Sequence, residues 1–247
     1  DTSTTLSVNN ADFPVLRDPA MRDAEKKNST CLPAGRDSAD TRKRILALEE
    51  KDTLWVVGST HPGEEEIILR VYKKLLGEFP NLKLLIAPRH PERAKEIGSL
   101  LLKNNLNPLF ISALPRPSSL VPRPSVFILD TIGQLRGFYA ISDIVFVGGS
   151  LIKKGGQNIL EPAAFAKPIV CGPHMFNFRD ITALFLKNEA CITVKNEEEL
   201  LAYITDLLRN PSKMSTLGKR AQELIATQQG ATEKNIEYIK KLLPARR

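Results

Sequence analysis

The chain has 247 residues, one large domain or two small ones at ~150 residues per domain, and can bury a sizeable core without staples. With 42% hydrophobic and 26% charged residues it has a soluble globular composition, and no run approaches the ~18 apolar residues of a membrane helix. The net charge of +7 is uneven: residues 1–52 hold 9 Lys and Arg against 10 Asp and Glu, so the basic excess belongs to the rest and favours an anionic partner, whether nucleic acid, phosphorylated sugar, nucleotide or acidic membrane surface.

Residues 1–40 show no helical or strand periodicity and are rich in Asp, Ser, Thr, Asn and Pro, which reads as an irregular lead-in. No basic segment followed by an apolar stretch opens the chain, and its first residue is Asp, which points to a fragment. From residue 41 short apolar runs alternate with amphipathic segments. TLWVVG (53–58) precedes a helical pattern over 63–77, LKLLIA (82–87) one over 91–105, and VFIL (126–129) one over 133–140. IVFVG (144–148) precedes a helix over 158–166, PIVCG (168–172) one from about residue 179, and CITV (191–194) one over 197–209. Two final helices are expected over 214–227 and 232–243. Six units whose strands are continuously apolar predict a doubly wound α/β fold, a parallel sheet covered on both faces. Cys31, Cys171 and Cys191 have no CxxC spacing and read as reduced packing residues. Pro115, Pro117, Pro122 and Pro124 mark an extended loop.

Ligands of such sheets bind beyond the carboxyl ends of the strands, so the strand-to-helix loops are the candidates. All three histidines fall there, in Ser59-Thr60-His61-Pro-Gly, Pro88-Arg89-His90-Pro-Glu-Arg93 and Gly-Pro-His174-Met-Phe. His61 and His90 read either as helix caps or as neutral ligand contacts, and no two histidines share metal-ligand spacing. Arg89 precedes a helix start, where a guanidinium and helix amides can converge on a phosphate or carboxylate. For Arg89 the alternative is a surface salt bridge with Glu92, and for Arg93 a salt bridge is the preferred reading. The densest glycine loop runs Gly148-Gly149-Ser150-Leu-Ile-Lys153-Lys154-Gly155-Gly156-Gln-Asn158-Ile159-Leu160-Glu161, with the lysines suited to an anion. It matches neither GxGxxG nor GxxxxGK[ST]. Asn158 reads as a helix cap, and Glu161 as a capping-box partner or as a bidentate acceptor for a ribose. Asp130-Thr131-Ile132-Gly133-Gln134 can offer main-chain groups to a nucleobase or be an ordinary turn. Glu64, Glu65 and Glu66 read as first-turn acids matching the helix dipole.

Together these loops resemble the C-terminal half of the bacterial Kdo transferases, GT-B glycosyltransferases that move 3-deoxy-D-manno-octulosonic acid from CMP-Kdo onto lipid A precursors. The matching stretches are GSTHPGEEE (58–66), APRHPER (87–93), DTIGQLRGFYAISDIVFVGGSL (130–151), GGQNILEPAAFAKPIVCGPHMFNF (155–178) and the NEEEL that follows (196–200). The resemblance covers roughly residues 53–243 and takes in nearly every strand-to-helix loop in order.

The resemblance implies that Pro88 and Arg89 touch the CMP phosphate, that Ile132, Gly133 and Gln134 surround the cytosine, and that Asn158, Ile159, Leu160 and Glu161 bind phosphate and ribose. Ser59, Thr60, His61, His90, Gly149, Ser150, Gly155, Gly156 and His174 are further candidates for the phosphate or the donor sugar. Family members often carry Gly-Asp-Thr-x-Gly-Glu where this chain has Leu129-Asp130-Thr131-Ile132-Gly133-Gln134, which leaves main-chain contacts at 134. The family's acceptor domain, with its membrane-facing surface and catalytic glutamate, has no counterpart in the chain. The implied protein is an inverting transferase at the cytoplasmic face of the inner membrane. It would use CMP-Kdo as donor, a lipid A precursor as acceptor, an anionic membrane surface as partner and no metal or other cofactor. Residues 1–40 would then be a linker and 41–247 a Rossmann-like donor domain, inactive by itself. The basic tail from Lys240 to Arg247 would add attraction to anionic lipid or be a solvated helix end. Rival readings are a UDP-sugar transferase or epimerase on the same fold and a non-catalytic nucleotide- or nucleic-acid-binding module. The last lacks RNP, KH and helix-turn-helix patterns, and aromatics are only 6%.

Overall fold

A computed structural model of the chain describes residues 39–113 and 125–228. It begins with a helix, α1 (Ala39–Ile45), which starts two residues inside the expected lead-in. Seven strands follow: β1 (Thr53–Thr60), β2 (Leu82–Pro88), β3 (Pro108–Phe110), β4 (Val126–Ile128), β5 (Ile144–Val147), β6 (Ile169–Cys171) and β7 (Ile192–Thr193). They form one sheet in the order β3-β4-β2-β1-β5-β6-β7, and every pairing is parallel. The helices are α2 (Glu64–Leu76), α3 (Ala94–Lys103), α4 (Leu135–Ile141), α5 (Leu160–Ala163), α6 (Arg179–Lys187), α7 (Glu197–Arg209) and α8 (Pro211–Gln228).

The continuous apolar strands have a direct physical reading. Side chains alternate across a strand, so a strand apolar at every position must be covered on both faces. In β1, Trp55 and Val57 enter one core while Leu54 and Val56 enter the other, all with no exposure. The first core takes Ile68 and Val71 of α2, Ile97 of α3 and Ile204 of α7. The second takes Phe138 of α4, Phe185 of α6 and Ala221 of α8. Burying each of the Val, Leu, Ile and Phe side chains contributes about 1.5–3 kcal/mol, so the sheet holds its loops on a stiff base. Cys171 and Cys191 are buried free thiols.

Two elements depart from the sequence pattern. β3 is a seventh strand, three half-buried residues led by a proline, too short for any period to reveal. The helix expected over 158–166 shrinks to the four residues of α5, with Ala166 already left-handed at φ 53°. The proline-rich segment 115–124, the second final helix over 232–243 and Cys31 lie outside the described residues. β1 has β2 on one side and β5 on the other, so successive connections diverge there. At such a switch point the carboxyl ends of the strands leave a crevice.

Candidate functional site

The crevice begins with an irregularity in β1. Its register shifts between Gly58 and Thr60, and Ser59 sits at φ 58°. The other non-glycine residues with positive φ among those described are Ala47, Asn105, Ala166 and Glu189. Each follows a helix end, where a left-handed residue commonly terminates the helix. Ser59 is the one on a strand, in a conformation that costs a non-glycine residue about 1–2 kcal/mol. The bulge lets Thr60 O accept from Arg89 N–H at 3.0 Å, while Gly58 O accepts from Gly148 N–H at 2.8 Å. Gly58 is required: a Cβ there would fall 2.0 Å from the Tyr139 hydroxyl.

Beyond β1, β2 and β4 opens a cavity of about 370 Å³ lined by Ser59, Pro88, Arg89, His90, Ile132 and Gly133, among others. Arg89 and His90 are exposed. Ile132 is 82% exposed, a large apolar side chain left in solvent at the cavity's edge. Gly133 has φ 81°, a left-handed backbone that a side chain would strain although a Cβ there would meet nothing within 4 Å. Gln134 does not line the cavity; it is buried, and its carbonyl accepts the Gly137 and Phe138 N–H groups at the start of α4. Five buried side-chain polar atoms lack a hydrogen-bond partner among the described residues, and three of them, Thr60 Oγ1, His61 Nε2 and Thr131 Oγ1, cluster at these strand ends. Buried polar atoms cost free energy when unpaired, so their concentration marks a place that a ligand or water completes.

The His61 and His90 rings meet edge to face, 6.2 Å apart. Burial holds His61 below the usual histidine range, and the nearby positive charges of His90, Lys154, Arg93 and Arg89 push it the same way. His90 has an extended backbone before Pro91 but makes no side-chain cap, and the residue capping α2 is Gly63, not His61. Neither histidine is therefore a helix cap.

The glycine-rich loop after β5 is built differently. Glu64, the first residue of α2, is fully buried, and its carboxylate accepts the N–H groups of Gly149 at 2.7 Å, Ser150 at 3.1 Å and Leu151 at 3.0 Å. Burial raises the Glu64 pKa even against these bonds. The Ser150 hydroxyl, also buried, donates to Val147 O and accepts from Gly172 N–H. Gly149 and Ser150 thus have their polar groups engaged within the protein. Gly155 and Gly156, at φ 93° and 71°, are pressed by Asn177 and Met175, each 2.2 Å from where a Cβ would sit. His174 N–H donates to Ser150 O and Asn177 N–H to Gly155 O, tying the loop to the one after β6. Lys153 and Lys154 stay exposed.

Past this loop Asn158 Oδ1 accepts the Leu160 N–H at 3.0 Å, a local cap two residues on. Ile159 is buried, Leu160 is 38% exposed and Glu161 is exposed. No hydrogen bond links the Glu161 carboxylate to Asn158 or to any other described residue, so the capping-box half of its reading is not formed. Its charge instead reaches the Tyr139 hydroxyl, whose pKa is raised by burial first and by Glu161 second. Tyr139 in turn abuts Gly58 of β1, while Glu161 is not among the residues that line the cavity.

Two residues escaped the sequence. Glu64 and Glu65 look like ordinary first-turn acids, yet both are buried, and Glu65 accepts from Arg93 at 2.7 Å. Arg93 is indeed in a salt bridge, but its inner partner is Glu65, with Glu96 on the outer side. Only the long-range amides of 149–151 distinguish Glu64, and no local pattern encodes them. Among the described residues no group of three or more His, Cys, Asp and Glu gathers as for a metal, and no helix is long and apolar enough to cross a membrane.

Comparison with known proteins agrees with this geometry. The model of the family "Glycosyl transferases group 1" matches residues 118–224. The chain is 37% identical over 191 residues to the 3-deoxy-D-manno-octulosonic acid transferase of Haemophilus influenzae, covering 77% of this chain and 44% of the relative. It is 36% identical over 214 residues to the enzyme of the same name from Rickettsia conorii, covering 86% and 45%. The chain thus spans less than half the length of these relatives. The crystal structure of the C-terminal CMP-Kdo binding domain of WaaA from Acinetobacter baumannii superposes with a TM-score of 0.69 at 30% identity, covering 76% of this chain and 95% of that domain. A seven-stranded parallel sheet, a crevice at its switch point and these matches lead to one assignment: the chain belongs to the 3-deoxy-D-manno-octulosonic acid (Kdo) transferase family, whose C-terminal GT-B-type domain it carries.

Proposed function

We propose that this chain is the donor-binding half of an inverting glycosyltransferase that transfers Kdo from CMP-Kdo to a lipid A precursor. The observation that carries the reading is the cavity at the ends of β1, β2 and β4, where Arg89 and the exposed Ile132 line one space beside three unpartnered polar atoms. In this reading the Arg89 guanidinium, preceded by Pro88, forks onto the CMP phosphate. Ile132 covers a face of the cytosine, and the main chain of 132–134 reads its edge. Asn158 to Glu161 hold phosphate and ribose, with the Glu161 carboxylate accepting from the two ribose hydroxyls. Arg89 stabilises the charge that builds on the phosphate as CMP leaves, with no metal in that role.

A base must lie within hydrogen-bond reach of the acceptor hydroxyl. That base lies in the part of the relatives that this chain does not match. That part would also supply the lipid A surface and the attachment to the inner membrane, so this chain binds donor but transfers no sugar. Calorimetry with CMP, UMP and UDP tests the reading: it requires CMP to bind tightest, and a preference for UDP would overturn it.

A further inference from the structure

We infer that Glu64 is a positioning residue for the donor site, an internal anion that fixes the glycine-rich loop and so sets Glu161 and the Gly155–Gly156 pair in place. The inference rests on the donor reading above but adds a residue that touches no donor in it. Glu64 is fully buried at the start of α2, and three successive amides of another loop, Gly149, Ser150 and Leu151, converge on its carboxylate. Successive N–H groups turned to one side form an anion-binding concavity. Here a carboxylate of the protein fills it, and the adjoining helix start favours the same charge.

The constraint passes along the loop by hydrogen bonds. Gly149 O accepts the Gly156 N–H at 2.9 Å, and Ser150 O accepts the His174 N–H at 2.9 Å. Gly155 O accepts the Asn177 N–H at 3.0 Å, so both ends of the loop are tied to the segment after β6. Two residues past Gly156, Asn158 Oδ1 caps Leu160, the neighbour of Glu161. Gly149 also lies against His61, whose Cδ2 is 3.1 Å from where a Gly149 Cβ would be, so the same grip sets the loop against the crevice. Releasing the turn at 149–151 therefore loosens Glu161.

Glu65 supplies the control. It is as buried as its neighbour, but its ion pair is with Arg93, it accepts no hydrogen bond from 149–151 among the described residues, and it does not line the cavity. In Glu64→Gln one acceptor oxygen becomes an NH₂ that cannot accept from the converging amides, whereas Glu64→Asp keeps the charge on a shorter stem. The test combines calorimetry with CMP and amide hydrogen exchange on the 247-residue chain. Glu64→Gln is expected to weaken CMP binding roughly tenfold, the scale of a lost charge-assisted hydrogen bond, and to speed exchange at 149–151 and 155–161. Glu64→Asp should recover part of both, while Glu65→Gln should lower the unfolding midpoint yet leave CMP affinity within about twofold. Unchanged exchange and affinity in Glu64→Gln would overturn the inference, as would an equal loss of affinity in Glu65→Gln. Failure of the unaltered chain to bind CMP would instead reject the donor reading, and exchange at 149–151 would still decide whether Glu64 holds the loop.

Discussion

Two loops at the same end of the sheet, one after β2 and one after β5, invite the same reading from their residues and turn out opposite in construction. The β2 loop carries Arg89 and His90 into solvent beside an open cavity. The β5 loop is richer in glycine and lysine, yet the amides of Gly149, Ser150 and Leu151 are taken by Glu64 and the Ser150 hydroxyl by Val147 and Gly172. Glycine density tells where backbones come close, not what they come close to. A ligand needs groups left unpaired, and those sit at Thr60, His61 and Thr131.

The largest effect should come from the closed loop and fall on stability. A Cβ on Gly172 would lie 2.2 Å from Ser150 O and 2.3 Å from Leu151 N, both backbone, so nothing can yield by changing rotamer. Gly172→Ala is expected to lose about 3 kcal/mol or more of unfolding free energy, measured by urea denaturation. A loss under about 1 kcal/mol would mean that the two loops are not packed as described. In the open loop the effect should fall on binding instead. Arg89→Ala is expected to weaken CMP binding by about 2–3 kcal/mol in calorimetry with an unfolding midpoint near that of the parent, because the side chain is exposed. An intact affinity would move the phosphate elsewhere.

Glu161 sits between the two cases, and a smaller loss is expected. Glu161→Gln should cost about 1.5 kcal/mol of CMP affinity through the lost charge, with no change in melting, since the carboxylate makes no hydrogen bond with a described residue. Unchanged affinity with an unchanged midpoint would remove the ribose role and restore capping, which Gln can serve as well as Glu.

The smallest effect concerns pH. His61 titrates below 6.5 in the folded chain, chiefly because burial disfavours its charge. Between the folded and unfolded values the unfolded chain holds more protons, so this contribution is complete above pH 6.5 and fades as pH falls toward the folded value. Urea titrations at several pH values should show a shallower acid-side loss in His61→Asn than in the parent. Parallel slopes would mean that His61 is no more buried than in the unfolded chain.

The fold was legible because buried parallel strands announce themselves: TLWVVG and IVFVG are apolar at nearly every position, and the structure shows why, with Leu54 and Trp55 serving opposite cores. β3 was hidden by its length and its leading proline, and α5 was overestimated because the apolar spacing of Ile159, Pro162, Ala163 and Ala166 continues after the backbone has stopped being helical. At the candidate site, Arg89 drew notice from its place after a strand and Ile132 from the family resemblance, and both line the cavity. Glu64 was not, since an acid in a first helical turn needs no further reason. Its role depends on amides more than eighty residues away, a contact that only the sheet order of β1 beside β5 creates.

The most direct test is a crystal structure of the chain with CMP bound. The account predicts the phosphate on the Arg89 guanidinium, the cytosine against Ile132 and Gly133, the ribose hydroxyls on Glu161, and Glu64 still holding the amides of Gly149, Ser150 and Leu151. A phosphate seated on those three amides, with the Glu64 carboxylate displaced, would contradict it.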